Sequence, residues 1–310
     1  MPSAGASSSR RQRWPRVHRP QGARPNTRCG RNEGRPEYGS GAVRSDPTAT
    51  QSRYDRLGDY MAGEVLGQHG FCCASESSCR GSLNPDLEFS PGQLSFLGRH
   101  YDLAVDRVPL RILVLGMDTG RTDTSVGLDQ RRQQIYDRIP ESFNRRNSHM
   151  RGTTLALRVL LGRESWDTPA DEYLALDGAR VHLLDAYAMA NLRLCSATKP
   201  PSTNSRATTT MSRNCLRHLR ATIELLEPTI VVTQSVAIRP RIAPLIRQPE
   251  TVAPHLEVAE VAGVGGVLLA SFSHPTAREP SAWSSPRRQY FRDVVCPTLR
   301  RARQLALDQQ

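Results

Sequence analysis

Three polar residues follow three segments that have the composition of buried β-strands, and their side chains are of types that support acid–base chemistry. They are Asp118 after residues 112–115, Asn191 after residues 181–185, and His274 after residues 267–272. The carboxyl ends of parallel strands meet at one edge of a sheet, where open α/β sheets bind their ligands. We therefore expect an acid, an amide and an imidazole to converge there as a candidate active site.

Each of these residues also has an ordinary structural interpretation. Asp118 lies between glycines and is suited to a turn or to a helix N-cap, and Asn191 is suited to a turn. His274 precedes a proline and is equally compatible with a core or capping role. The residue types and their order leave both interpretations open.

The cysteines suggest a second kind of site. Seven occur in the chain, of which Cys29 lies near the amino terminus and Cys296 in the last predicted helix. The other five form two groups, Cys72, Cys73 and Cys79 in one and Cys195 and Cys215 in the other. Thiolates from two groups suit a soft metal or an iron-sulfur centre, and the neighbouring Cys72 and Cys73 can hardly both bind it, which leaves four ligands. The alternatives are a zinc site and plain buried hydrophobic residues.

The predicted elements place these residues in an α/β fold. Strands are predicted at residues 112–115, 181–185, 229–234 and 267–272, and helices at about 54–66, 150–161, 215–227 and 286–307, the last interrupted near Pro297. The segments 121–151 and 196–212 are predicted to be mainly loops, and 239–247 a basic connector. Strands that alternate with helices predict a central, mostly parallel four-stranded sheet with helices on both faces, a three-layer α/β/α arrangement.

Charge separates an amino-terminal arm from the rest of the chain. The net charge is +12, and residues 1–56 contain twelve arginines against four acidic residues, with little aliphatic periodicity. This composition predicts a disordered arm, which is either a nucleic-acid-binding segment or a solvated tail, followed by one folded domain at 57–310. The sequence has no long apolar run, so we expect a monomeric, cytoplasmic protein without a membrane span.

Taken together, these features resemble the uracil-DNA glycosylase superfamily, in particular its iron-sulfur branch. Arg111 to Gly120 resembles the strand and first motif of that family. The segment Asn191-Leu192-Arg193-Leu194-Cys195, followed by Cys215 and residues 219–232, is similar to its middle block. Ser273-His274-Pro275-Thr276 is similar to its second motif, and the resemblance covers about residues 70 to 295.

The resemblance implies hydrolysis of the bond between a flipped DNA base and its sugar. Asp118 would position water and stabilise a cationic sugar, His274 would donate to the base oxygen, and Asn191 would read the base edge. Gly116 and Met117 would line the base site, and one of Met150, Arg151 and Tyr136 would take the place of the usual stacking aromatic. Arg121, Arg151 and Arg278 would bind phosphates. The resemblance also implies a 4Fe-4S cluster bound by Cys73 (or Cys72), Cys79, Cys195 and Cys215.

A non-catalytic member of the same fold, which binds nucleic acid through an iron-sulfur module, is the alternative to a glycosylase. A third class, another α/β hydrolase or a nucleotide-binding protein, lacks its usual motifs here. No Gly-Lys-Ser/Thr follows Gly116, and the chain has neither G-x-G-x-x-G nor a serine-nucleophile elbow.

Overall fold

The computed structural model describes residues 42–120, 124–163, 169–202 and 204–308. The helices in these ranges are α1 (Pro47–Glu64), α2 (Glu76–Gly81), α3 (Leu128–Tyr136), α4 (Ser148–Leu160), α5 (Thr209–Leu226), α6 (Ile238–Arg241) and α7 (Cys296–Leu307). The strands are β1 (Val43–Ser45), β2 (Leu66–Gly67), β3 (Gly70–Phe71), β4 (Glu88–Ser90), β5 (Phe96–Leu97), β6 (Leu103–Val105), β7 (Val108–Pro109), β8 (Ile112–Gly116), β9 (Tyr173–Leu176), β10 (Ala179–His182), β11 (Ala188–Asn191), β12 (Ser196–Thr198), β13 (Ile230–Thr233), β14 (Ile246–Ala253), β15 (Leu256–Val261) and β16 (Val264–Ser271). Within the same ranges, none of the helices combines the length and the apolar character needed to cross a bilayer.

The central sheet has the strand order β14-β15-β16-β13-β8-β11-β5. Its inner strands β16, β13, β8 and β11 run parallel to one another, whereas β14, β15 and β5 pair antiparallel at the two sides. The predicted α/β class with a parallel centre is confirmed. The predicted number of four strands applies only to that centre, because antiparallel strands extend the sheet to seven.

Strand β8 lies in the middle of the sheet because its side chains are apolar on both faces. Ile112 and Val114 belong to the core formed with α4 and α7, whereas Leu113 and Leu115 belong to the core formed with α1 and α5. All four side chains are completely buried. A run of four aliphatic residues therefore fits a strand covered by helices on both sides, and the helices form a layer on each face of the sheet.

The strand predicted at residues 181–185 was wrong in its place and extent. Val181 and His182 belong to β10, which pairs with β9 in a separate hairpin, and residues 183–185 form a 3-10 turn. The strand that enters the central sheet is β11, in which alanines alternate with Met189 and Asn191. Alanines have a low β-strand propensity, so the sequence of β11 does not indicate a strand. The strand was predicted instead at residues 181–185, which are more aliphatic.

The predicted boundary of the arm at residue 56 was also wrong. Strand β1 and the first half of α1 lie before it, and Asp46 caps α1 by accepting the Ala49 N–H at 2.9 Å. Arg53 is buried and pairs with Asp102 at 3.1 Å, so an arginine that composition assigned to the arm belongs to the folded core. Residues 1–41 of the predicted arm lie outside the described residues.

Two predicted loops are shorter than expected. Helix α5 begins at Thr209 rather than Cys215, because Thr208 accepts the Met211 N–H at 3.2 Å and starts the helix earlier. Strand β14 occupies part of the predicted basic connector and pairs with β15. The terminal helix contains a π-helical segment, Phe291–Val295, and Pro297 lies in the first turn of α7 rather than interrupting it.

A buried ionic cluster connects α4 to the β9–β10 hairpin. One carboxylate oxygen of Glu172 lies 2.6 Å from Arg146 and 3.1 Å from His182, and the other lies 2.7 Å from Arg158. Burial alone would raise the pKa of Glu172, but the hydrogen bonds from His182, Arg146 and Arg158 and the charge of Arg146 outweigh burial and lower the pKa to about 2. The ionised form of Glu172 therefore contributes to folding stability.

We predict that this contribution is lost in acid. A carboxyl group whose pKa falls from 4.5 to about 2 on folding stabilises the protein fully above pH 4.5 and loses that effect as the pH falls toward 2. The difference amounts to about 3 kcal/mol in the free energy of unfolding. Urea unfolding between pH 7 and pH 2 measures it. Glu172→Gln should destabilise the protein at pH 7 and flatten the acid dependence, whereas the exposed Glu250→Gln should change neither, and parallel pH curves for wild type and Glu172→Gln would contradict the prediction.

Candidate active site

The carboxyl edge of the sheet brings together Gly116, the last residue of β8, and Asn191, the last residue of β11. The two residues are direct partners in the parallel β8–β11 pair. A Cβ atom on Gly116 would lie 2.6 Å from Oδ1 of Asn191 and 3.7 Å from Cε1 of His149. Glycine is therefore required at this position by close approach rather than by backbone conformation.

Two histidine rings lie side by side at this edge. The rings of His149 and His274 are stacked, with centroids 6.2 Å apart and planes inclined by 24°. Sequence reasoning identified His274 but missed His149, which lies in the first turn of α4. The signal that could have found it is its position, since the amino terminus of a helix that covers a parallel sheet lies near the ligand-binding edge.

The loop after β16 determines which nitrogen of His274 carries a proton. Nδ1 accepts the backbone N–H of Thr276 at 3.2 Å and lies 2.6 Å from the Thr276 hydroxyl. The neutral ring therefore carries its proton on Nε2, which becomes a hydrogen-bond donor. Burial lowers the pKa of His274, while burial and the charges of His274 and Arg131 lower the pKa of His149 to about 4. Both rings are therefore mainly neutral at pH 7.

The position of His274 is fixed by packing on either side of it. A Cβ atom on Gly152 of α4 would lie 2.6 Å from Cγ of Pro275, so the helix and the loop are in direct contact. Ser273 donates its hydroxyl to the carbonyl of Ser281, and its own carbonyl accepts the Trp283 indole N–H at 2.7 Å. These contacts attach the loop to the core.

Asp118 lies at the same edge, but its carboxylate is already occupied by protein donors. Oδ2 accepts Nε of Arg193 at 2.9 Å and the Ser205 hydroxyl at 2.7 Å, and Oδ1 accepts the Gly120 N–H at 3.1 Å. The side chain is 4% exposed. Arg193, which sequence reasoning did not identify as a site residue, therefore neutralises Asp118, and protein donors occupy Oδ2 of the carboxylate.

The other predicted site residues have different surroundings. Met117 packs against the core beneath α1 and α5, and its carbonyl accepts the Arg193 N–H at 2.9 Å. Arg151 is half-buried and donates to Ser148 at 2.9 Å, and Arg278 is exposed on the loop after His274. Arg121, predicted to bind phosphate, lies outside the described residues.

The predicted substitutes for a stacking aromatic are used elsewhere. Met150 is buried in the core, and Tyr136 packs edge-on against Phe96 and donates its hydroxyl to Asp185. The flat ring next to Gly116 is that of His149. Of the residues described at this edge, His149 is therefore the one placed to lie against a planar ligand.

Four cysteines from three regions of the chain lie near one another, and the charge of Arg193 acts on one of them, Cys215. Cys79 and Cys195 share a small core with Ala197 and Met211. Burial raises the pKa of Cys195, and the charges of Cys215, Cys73 and Cys79 raise it further. Burial likewise raises the pKa of Cys215 to about 11, with the charges of Cys79 and Cys73 adding to it. Cys73, Cys79, Cys195 and Cys215 therefore lie within electrostatic range of one another.

The thiol of Cys72 contacts the end of α1. Its sulfur lies 3.9 Å from the carbonyl oxygens of Ala62 and Gly63. Cys73, in contrast, lies 3.5 Å from Nε2 of His218 and 3.7 Å from Arg217. The structure thus favours Cys73 over Cys72 as the fourth member of the group.

The surroundings of the four sulfurs fit a cationic metal centre. Asn214 donates to Cys79 at 3.3 Å, and the backbone N–H groups of Gly92 and Leu194 donate to Cys195 and Cys215. Buried thiols that must lose their protons together repel one another as thiolates, and a bound metal centre supplies the compensating charge. Four thiolates are a donor set that could hold a soft metal or an iron-sulfur centre.

No known protein-family model matches the chain, and no curated protein matches it. The relationship to uracil-DNA glycosylases therefore stays a prediction from motifs.

We predict that Gly116→Ala disrupts the site more than the fold. The new methyl group would displace the Asn191 side chain, and overpacking of this kind costs about 1–3 kcal/mol in the free energy of unfolding. A crystal structure of the variant and urea unfolding measure the two effects. Gly265→Ala is the matched control, because a Cβ atom at Gly265 in β16 meets nothing within 4 Å. An unmoved Asn191 side chain in Gly116→Ala would show that the close contact is not structurally limiting.

Proposed function

We propose that the chain is a DNA base-excision glycosylase with a uracil-DNA glycosylase-like fold, which hydrolyses the N-glycosidic bond of a flipped, damaged base. The observation that carries the proposal is the convergence of Asn191, His149 and His274 at one edge of the sheet, with the Nε2 proton of His274 available for donation. An amide, a planar ring and a neutral donor are the groups that recognise and polarise a heterocyclic base.

The proposed chemistry assigns each group a role. When the bond to the sugar breaks, the base departs with negative charge on its oxygens, and Nε2–H of His274 donates to one of them. The Asn191 amide binds the polar edge of the base, and the His149 ring lies against its face. Asp118, because Arg193 neutralises it, shapes the edge of the site rather than acting as a free base.

Arginines near this edge support DNA as the substrate. Arg151 lies in the first turn of α4, where the backbone N–H groups and the helix dipole also favour anions. Arg278 is exposed on the loop that carries His274. On this proposal, Arg151 and Arg278 would bind phosphates next to the flipped nucleotide.

We further propose that Cys73, Cys79, Cys195 and Cys215 hold a 4Fe-4S cluster that stabilises this part of the fold. A cluster holds its four cysteines further apart than a single zinc ion does. Among the described side chains, no three of His, Cys, Asp or Glu are grouped closely enough to hold one metal ion. Four cysteine thiolates are the ligand set of a 4Fe-4S cluster, and zinc is the alternative for the same four residues.

The second candidate is a non-catalytic nucleic-acid-binding member of the same fold. The ion pair between Asp118 and Arg193 favours it, because the carboxylate expected to assist water is matched by a buried cation. The arginines and the cysteine group would serve binding in either case.

We predict that the wild-type protein releases a damaged base from DNA and that His274→Ala lowers the rate by about 10² to 10³, the usual effect of removing one preorganised donor. The assay measures base release from duplex and single-stranded oligonucleotides that contain uracil, hypoxanthine, xanthine or oxidised pyrimidines. His69→Ala, which removes an exposed histidine from the β2–β3 turn, is the matched control. DNA binding without any release would favour the non-catalytic candidate, and equal rates in His274→Ala and wild type would refute the assignment of His274.

We predict that anaerobically purified protein contains about four irons per chain, the number in one 4Fe-4S cluster bound by four thiolates. Such a protein should absorb broadly in the visible range. Cys195→Ala should lose the iron and part of its solubility. Cys72→Ala is the matched control and should keep the iron, because the Cys72 thiol points toward Ala62 and Gly63. Colourless wild type, or iron loss in Cys72→Ala, would contradict the cluster or its ligand set.

A further inference from the structure

One member of the cysteine group lies in an irregular part of the chain, and side chains contact its sulfur. Cys79, Cys195 and Cys215 are buried, whereas Cys73 is half-buried in the segment between β3 and α2. Such a segment has no regular hydrogen-bond pattern that fixes the direction of a side chain. The contacts of the Cys73 sulfur therefore determine where it lies relative to the other three.

His218 is the ring that contacts Cys73, and helix α5 brings it there. Cys215 and His218 are three residues apart on this helix, so their side chains lie on the same face. The His218 side chain is almost completely buried, with the residue 1% exposed, and its Nε2 lies 3.5 Å from the Cys73 sulfur. One helix therefore supplies both a member of the cysteine group and the ring that contacts another member.

Tyr60 of α1 contacts the other side of the same ring. Its hydroxyl lies 3.0 Å from Nδ1 of His218, and the two rings meet edge to face with their centroids 6.0 Å apart. Burial and the neighbouring charge of Arg217 favour the neutral form of the ring, which has one donor and one acceptor nitrogen. A tyrosine hydroxyl can donate or accept, so Tyr60 is a suitable partner for either tautomer of His218.

A metal-bound thiolate at Cys73 selects one of these tautomers. Because a thiolate ligand only accepts hydrogen bonds, Nε2 of His218 then carries the proton, and Nδ1 accepts the hydroxyl proton of Tyr60. Arg217 lies 3.3 Å from the same Nε2 through its Nε and 3.7 Å from the Cys73 sulfur through Nη2. With the proton on Nε2, Arg217 donates to the sulfur, so the thiolate receives donors from two neighbouring residues of α5.

We propose that His218 is a positioning residue, which holds the Cys73 thiolate in place as the fourth ligand and, by donating to it, raises the reduction potential of the bound cluster. This inference rests on the cluster of the proposed function. A hydrogen bond to a ligand sulfur withdraws electron density from it and so stabilises the reduced, more negative state of the centre. The loss of such a partner usually weakens metal binding about tenfold or more.

Redox titration of the full-length, anaerobically purified protein tests the role of His218. The electrode supplies one electron to the cluster, and no bond is formed or broken. His218→Leu should shift the midpoint potential to more negative values, and a chelator should remove its iron about tenfold faster or more. His218→Gln, which keeps an N–H donor, should recover part of both effects. Equal potentials in wild type and His218→Leu would overturn the proposal.

A variant of Tyr60 tests the same hydrogen bonds with less disturbance of packing. Tyr60→Phe removes only the hydroxyl group that fixes the tautomer of His218, so we expect a smaller shift of the potential in the same direction. Tyr54→Phe is the matched control on the same helix and should leave the potential unchanged, because the Tyr54 hydroxyl donates to Asp129 at 2.6 Å. If His218→Leu does not fold, an unchanged potential in Tyr60→Phe would by itself overturn the proposal.

The proposed function and this inference can fail separately. A potential that depends on His218, in a protein that releases no base from DNA, would support the role of His218 and refute the glycosylase. Base release by a protein whose potential and iron retention are the same in wild type, His218→Leu and Tyr60→Phe would refute the role of His218 and leave the glycosylase intact. Wild type that holds zinc or no metal would overturn this inference together with the cluster, and the base-release assay would still decide the glycosylase.

Discussion

The buried ion pair between Asp118 and Arg193 is the interaction on which the geometry of the candidate site depends. Arg193 connects the turn after β8 to the segment that follows β11, and it also donates to Ser212 on α5 at 3.1 Å. Ser205, from the loop between β12 and α5, donates to the same carboxylate. Removing either partner would leave an uncompensated buried charge, which typically costs 3–5 kcal/mol. The turn that carries the acid and the loop that joins two of the cysteines therefore form one unit.

This connection makes the cysteine group relevant to the site even though it lies outside it. Cys195 and Cys215 are at the two ends of the segment that contains Ser205 and Ser212. When the sulfurs are held together, the ends of that segment are fixed, and Ser205 is held against Asp118. A metal centre that only stabilises the fold would thus also set the position of the carboxylate, through ordinary packing and hydrogen bonds.

The general fold and part of the site could be predicted from sequence because they depend on local patterns. The aliphatic run of β8 identifies a strand buried on both faces, and strand order in an α/β sheet brings Asn191 and His274 to one edge. The pairing of Asp118 with Arg193 could not be predicted, because 75 residues separate the two and no periodicity connects them. His149 was missed because a single histidine in the first turn of a helix has no distinctive sequence pattern.

The sequence also left the choice between Cys72 and Cys73 open, since adjacent residues in an irregular segment have no periodicity to distinguish them. Tertiary contacts distinguish the two thiols, because Cys73 lies beside His218 and Cys72 faces backbone carbonyls of α1. The arm boundary failed for a related reason. From composition alone, Arg53 is expected to be a surface charge. It is buried because it pairs with Asp102, 49 residues later in the chain.

Approximate free energies of the charge and hydrogen-bond interactions show why a neutralised Asp118 does not by itself exclude catalysis. A unit charge at about 4 Å from a developing sugar cation is worth about 4 kcal/mol at the effective dielectric of a protein surface, and a matched arginine cancels much of that contribution. One preorganised donor to the departing base supplies about 2.7–4 kcal/mol, which is of the same size. A site in which the carboxylate no longer stabilises the sugar cation can therefore gain a similar stabilisation by donating a hydrogen bond to the departing base. On the proposed function, His274 would supply this donor through its Nε2 proton, while Arg193 cancels much of the contribution of Asp118.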